Sequence, residues 1–197
     1  MRENRFGKIT REITLKSKVR LGILIVPCIL SPGLQAEEKP GPHWGYRLME
    51  LLMKHRIDII SLPCPESTFG GYQSGLQRGK HGIGYYESLE GYSAHCIQLA
   101  IQVADMIADM YAGGYSFICV LGVEHSPTCA VNYIYSHDGM LKRAGIFFRL
   151  LEEELRKSGL EIPQVGINRT YPNKGITLLE KMIRDSEEKA GKRGEGV

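Results

Sequence analysis

Three short apolar stretches constrain this chain more than any other feature. Leu21 to Val26, Ile57 to Leu62 and Tyr115 to Val123 read as continuous apolar runs rather than alternating ones, and each is bounded by turn residues. A strand buried on both faces has this pattern, and such strands belong to parallel sheets covered by helices on either side.

The segments between the runs carry the helical period. His43 to His55 follows a Pro and Gly cluster and sets Trp44, Leu48, Leu51 and Leu52 on one face. Tyr92 to Ala112 carries a stripe of Ile97, Ala100, Ile101, Ala104, Ile107 and Ala108 and stops at Gly113-Gly114. Gly145 to Ser158 repeats the pattern with Phe147, Phe148, Leu150, Leu151 and Leu155, ending on Gly159. A weaker strand, Ile162 to Ile167, precedes an amphipathic helix from about Lys174 to Lys189. The expected order is βαβαβαβα, which implies an α/β fold with a mostly parallel sheet of about four strands, right-handed crossovers and helices on both faces. Residues 21–190 form the expected domain, behind a basic arm at 1–20 and before a Gly-rich charged tail at 191–197 that should be disordered.

Charge is concentrated in the arm. The whole chain of 197 residues carries a formal +3, whereas residues 1–20 alone carry +5 and the remainder −2. So small a net charge gives no reason to expect nucleic acid or membrane partners. The arm followed by Leu21 to Leu30 and Leu34-Gln-Ala36 imitates a signal peptide. The arm is long for such a leader, however, and the apolar run ends on Pro27-Cys28, so a cytoplasmic location is expected. Five cysteines without regular spacing also point to reduced thiols rather than a disulfide framework.

Three of those thiols stand where strands run out. Cys28 ends the first run in Val-Pro-Cys, Cys64 ends the second in Leu-Pro-Cys-Pro-Glu, and Cys129 lies just past the third in Glu-His-Ser-Pro-Thr-Cys. Ligands in open parallel sheets bind beyond the carboxyl ends of the strands, so these thiols should converge on one edge. Thiolates select zinc or iron-sulfur clusters over calcium or magnesium, and a set of three leaves a position open for chemistry. Glu66 and Ser126 would lie beside that position, the first to move protons or orient water, the second to hydrogen-bond a bound group. His125 shares the loop and could contact substrate or act as a base. Cys119, inside a strand, and Cys96, on a helix, read instead as core packing. Ser67 to Ser88 holds six glycines with Phe69, Tyr72, Tyr85 and Tyr86, and reads either as a lid over the site or as a plain loop excursion.

The order of Cys28, Cys64-Pro-Glu66, Gly70-Gly71, Ser126-Pro-Thr-Cys129 and Tyr135-Ser-His-Asp-Gly139 resembles the 2-thiouracil desulfurase family over about residues 21 to 155. The resemblance implies a Rossmann-like domain, a three-layer sandwich holding a 4Fe-4S cluster on Cys28, Cys64 and Cys129. It further implies that the open iron accepts sulfur from a thiocarbonyl-type substrate, with Glu66 and Ser126 catalytic and His125, Gly70 and Gly71 near the substrate. Where the family has Cys-Leu-Leu-Gly, this chain reads Cys28-Ile-Leu-Ser-Pro-Gly33, and Cys129 is followed by Ala130. Those departures fall where the substrate pocket would be shaped. The expected partner is a small sulfur-containing substrate, with a protein sulfur acceptor as a further one. The alternative is an accessory protein that binds a cluster or zinc without turnover; a metal-free thiol enzyme using Cys129 and His125 is a third reading.

Overall fold

The computed structural model describes residues 19–31, 34, 44–70 and 81–194, the last four by backbone alone. The basic arm up to residue 18, residues 71–80 of the glycine-rich segment, including Gly71, and the tail from 195 lie outside the described residues.

Four strands form one parallel sheet in the order β2-β1-β3-β6: β1 (Arg20–Ile25), β2 (Asp58–Ser61), β3 (Tyr115–Val123) and β6 (Gln164–Ile167). The two central strands are the most apolar, and Ile23, Leu24, Ile25, Val120 and Leu121 have no exposed surface. The two edge strands, β2 and β6, have four residues each, and those of β2 are all exposed or half-buried. Gly22 sits at a register irregularity between β1 and β3, where a methyl group would press on Ile60, Tyr115 and Phe117. The fold is mixed α/β, as the alternation of apolar runs and helical segments implied.

Because β1 lies between β2 and β3, the crossovers from β1 to β2 and from β2 to β3 run in opposite directions across the sheet, and right-handedness sends their helices to opposite faces. One face carries α2 (Trp44–Lys54) and α7 (Asn173–Gly194), tied by Arg47 Nη1 to Asn173 Oδ1 at 2.8 Å and His55 Nδ1 to Glu187 Oε1 at 3.0 Å. The other face carries α5 (Tyr92–Ala112) and α6 (Ile146–Lys157), packed against each other. Leu99, Val103 and Ile107 from α5 join Phe147, Phe148, Leu151 and Leu155 from α6 over the sheet.

Several expectations change. Three short helices, α1 (Pro27–Leu30), α3 (Pro65–Gly70) and α4 (Ile83–Ser88), replace what read as irregular chain, so both flanks of the glycine-rich loop are helical. Proline opens α1 and α3 because its fixed φ suits the first helical position and its missing N–H has no partner to lose there. Helix α7 runs to Gly194, past the expected start of the disordered tail. A separate antiparallel hairpin, β4 (Tyr133–Ser136) and β5 (Gly139–Lys142), follows β3. Among the described residues no helix is long and apolar enough to cross a membrane.

Cys119 lies wholly buried in the centre of β3, and burial raises its thiol from 9.0 to about 12. At pH 8 only about one molecule in ten thousand carries that thiolate, so iodoacetamide should leave Cys119 unlabelled in the folded chain and label it in guanidinium, as read by peptide mass spectrometry. The same shift stabilises the fold fully below pH 9 and loses its effect as pH rises toward 12, since the unfolded thiol ionises first.

Candidate functional site

The chain reverses direction around β1, so the carboxyl ends of β1 and β3 bound the crevice where open parallel sheets bind ligands. Cys28 follows β1 as the second residue of α1, whose turn closes through Ser31 N–H to Pro27 O at 2.9 Å. Cys64 follows β2 immediately before α3, and its carbonyl accepts both the N–H and the Oγ1 hydroxyl of Thr68 at 2.9 Å. Cys129 lies at the end of the loop after β3. Cys28 and Cys64 are half-buried and Cys129 is buried.

The third loop is the most constrained. It folds back so that Val123 N–H reaches Cys129 O at 3.2 Å. Its close fit depends on three glycines. A methyl group on Gly122 would overlap Cys129 O and the Phe148 ring, one on Gly145 would overlap the Thr128 carbonyl, and one on Gly166 would overlap the Glu124 carboxylate. Within the loop, Ser126 Oγ accepts the N–H groups of Cys129 at 3.0 Å and Thr128 at 3.3 Å. Glu124 is buried, and its carboxylate accepts Asn132 Nδ2 at 2.7 Å and Tyr133 N–H at 3.0 Å. His125 is exposed, adopts a left-handed φ of 72°, and bonds through its backbone to Tyr133 and Tyr135 of the hairpin.

The thiols act on one another. Burial pushes Cys28 up to about 12, and the charges of Cys64 and Glu66 add to the effect while Arg169 opposes it. Cys129 is raised well above its ordinary value, first by burial and then by Cys64, Cys28, Glu66 and Cys96. Among the described residues, no three His, Cys, Asp or Glu side chains are arranged to hold a single metal ion. The three cysteines follow three adjacent strands, without a ready-made cage for one metal ion among the described residues.

Glu66 is held by a buried polar chain. Thr128 Oγ1 donates to its Oε1 at 2.9 Å, Tyr86 OH donates to its Oε2 at 3.2 Å, and Tyr92 OH lies 3.0 Å from Thr128 Oγ1. Tyr86, Tyr92 and Thr128 have no exposed surface. Gly70 closes α3, on which Glu66 sits in the first turn.

Four features escaped the sequence reading. Thr128 stood inside the Ser126-Pro-Thr-Cys129 motif and Tyr86 in the glycine-rich segment without a role, and Tyr92 carried no motif. Arg169, just past β6, is recognisable only once β6 is placed beside β3. Cys96 is buried as expected, yet Glu66 and Cys64 act on its thiol, which burial and those charges raise to about 12. The hairpin did have a signal, since Asp138-Gly139 is a favoured hairpin turn and Gly139 takes a φ of 117°.

No family model matches the chain. It is 30% identical over 139 residues to the uncharacterized protein MJ0003 of Methanocaldococcus jannaschii, covering 70% of this chain and 80% of that one. Among solved structures it matches the 4Fe-4S-dependent thiouracil desulfidase TudS with a TM-score of 0.47 and 17% identity, over 74% of this chain and 91% of that one.

The glycine contacts give a direct test of the loop. Gly122→Ala and Gly145→Ala should each lower stability by about 1–3 kcal/mol in urea unfolding, through forced displacement of the Cys129 loop. Gly84→Ala, whose methyl group meets nothing within 4 Å on helix α4, should be neutral or stabilising by up to about 1 kcal/mol.

Proposed function

The chain belongs to one family with the uncharacterized protein MJ0003 of Methanocaldococcus jannaschii, and from its own residues we propose that it removes or transfers sulfur at a 4Fe-4S cluster held by Cys28, Cys64 and Cys129. The observation that supports this reading is that Cys28, Cys64 and Cys129 follow the carboxyl ends of three adjacent parallel strands, β1, β2 and β3, close enough for the charge of Cys64 to act on Cys28 and Cys129. Three ionised thiols and a carboxylate in one half-buried place repel each other, and a cationic group relieves that repulsion.

The donor set suits the cluster. Sulfur donors select zinc or iron-sulfur centres. A single zinc ion would draw its thiolates to about 2.3 Å from one point, whereas thiolates on a cluster bind separate irons and need not crowd together. When bound, the cluster supplies a Lewis-acidic iron without a protein ligand, open to the sulfur of a substrate.

The remaining work falls to the protein. Exchange of C=S for C=O consumes one water and releases hydrosulfide and a proton, so it needs no oxidant or reductant. Glu66, its carboxylate oriented by Thr128 and Tyr86, accepts the proton of the attacking water. Ser126 fixes the amide of Cys129 and with it the loop. His125 and Gly70, at the end of α3, would border the space where a small thiocarbonyl substrate would sit. A protein sulfur acceptor would take up the hydrosulfide after its release, at the same oxidation level, with water still supplying the oxygen.

Anaerobic reconstitution with iron and sulfide should load about four irons per chain. Cys28→Ser, Cys64→Ser and Cys129→Ser should each lower that ratio, while Cys119→Ser should leave it unchanged. Glu66→Gln should keep the iron but lose about 10²- to 10⁴-fold in hydrosulfide release from thioacetamide. A chain that takes up neither iron nor sulfide would sink the proposal.

A further inference from the structure

The carboxylate of Glu66 enters a chain of hydroxyls whose direction can be deduced. A carboxylate only accepts, so Thr128 Oγ1 must give it its one proton across 2.9 Å. Thr128 Oγ1 then has only lone pairs left, and Tyr92 OH must be the donor across the 3.0 Å between them. Tyr86 OH supplies the other carboxylate oxygen at 3.2 Å. Tyr86, Tyr92 and Thr128 show no exposed surface, and they join three different elements, α4, α5 and the Cys129 loop, to Glu66 on α3. Phe69 stands edge-on to Tyr92 at 5.2 Å and Tyr86 lies 5.4 Å from it, so the rings cannot swing without repacking.

We infer that Tyr92, Thr128 and Tyr86 are positioning residues that lock the Glu66 carboxylate, through a one-way relay of donated hydrogen bonds, in the orientation its chemistry requires. The hydrogen-bond chain belongs to the metal-free protein; only its catalytic consequence rests on the cluster reading. A buried hydroxyl costs most when its partner is removed, because it cannot turn to water. The series therefore has a signature that ordinary packing lacks. Thr128→Val keeps the shape and removes the relay, leaving Tyr92 OH only the weakly bonding Cys96 thiol as a partner, whereas Thr128→Ser keeps the hydroxyl and loses only a methyl group.

The test uses the full chain. In its metal-free form, Thr128→Val should lower Tm by roughly 4–8 °C and Thr128→Ser by less, and adding Tyr92→Phe to Thr128→Val should recover part of the loss. The infrared carboxylate band that disappears in Glu66→Gln should shift in Thr128→Val and return in Thr128→Ser. In cluster-loaded protein with thioacetamide, Thr128→Val should lower kcat about tenfold to a hundredfold with iron content unchanged. If Thr128→Val and Thr128→Ser share the wild-type band and kcat, the relay is overturned. A wild-type chain that binds no iron would overturn the proposed function alone, and the infrared result would still decide the relay.

Discussion

The backbone of Cys129 lies against Gly122, and the rest of the site follows from that approach. The loop after β3 turns back onto its own strand, with Val123 N–H bonded to Cys129 O, and this is possible only because Gly122, Gly145 and Gly166 present no side chain to it. Interiors are packed as densely as crystals of small molecules, so a single methyl group at such a contact has nowhere to go. Once the loop is down, Thr128 is buried facing Glu66, the Cys129 thiol is buried near Cys28 and Cys64, and Ser126 caps the amides behind it. Backbone packing thus sets the positions of side chains that come from three strand ends.

That arrangement concentrates groups of one sign. Burial, and then the charges of Cys64 and Glu66, hold the Cys28 and Cys129 thiols toward the neutral form, and Arg169 is a cation that works against it at Cys28. In a medium of low dielectric such crowding is unfavourable unless the groups hold protons or share a positive partner. Two hydroxyl donors, Thr128 and Tyr86, face the Glu66 carboxylate, whereas burial first of all holds the Cys28 and Cys129 thiols toward the protonated form.

Much of the scaffold was legible in the residues. The limits of β3 and α5 match the apolar run Tyr115 to Val123 and the stripe ended by Gly113, because each is long enough for periodicity and a stop signal to agree. The short elements were not. Four- and six-residue helices such as Pro27–Leu30 and Pro65–Gly70 offer too few turns to show a period, and their proline starts look the same as turn signals. The hairpin was missed for a related reason: its strands are four residues each and expose Tyr133, Tyr135, Met140 and Leu141, with Ile134 alone fully buried, too little for an alternating pattern to show. Cys96 read as core and is core, yet its neighbours are Tyr92, Glu66 and Cys64, which no local pattern can reveal.

By itself the sequence determined that the chain is an α/β fold with parallel strands, and that Cys28, Cys64 and Cys129 would each emerge at a strand end. It could do so because burial pattern and strand termination are local properties, expressed within a dozen residues. Only the tertiary structure decided that the strands order as β2-β1-β3-β6, that Tyr92, Thr128 and Tyr86 converge on Glu66, and that Arg169 comes near Cys28. Those contacts join residues far apart in the chain, and they exist because crossover handedness and close packing leave one place for each element.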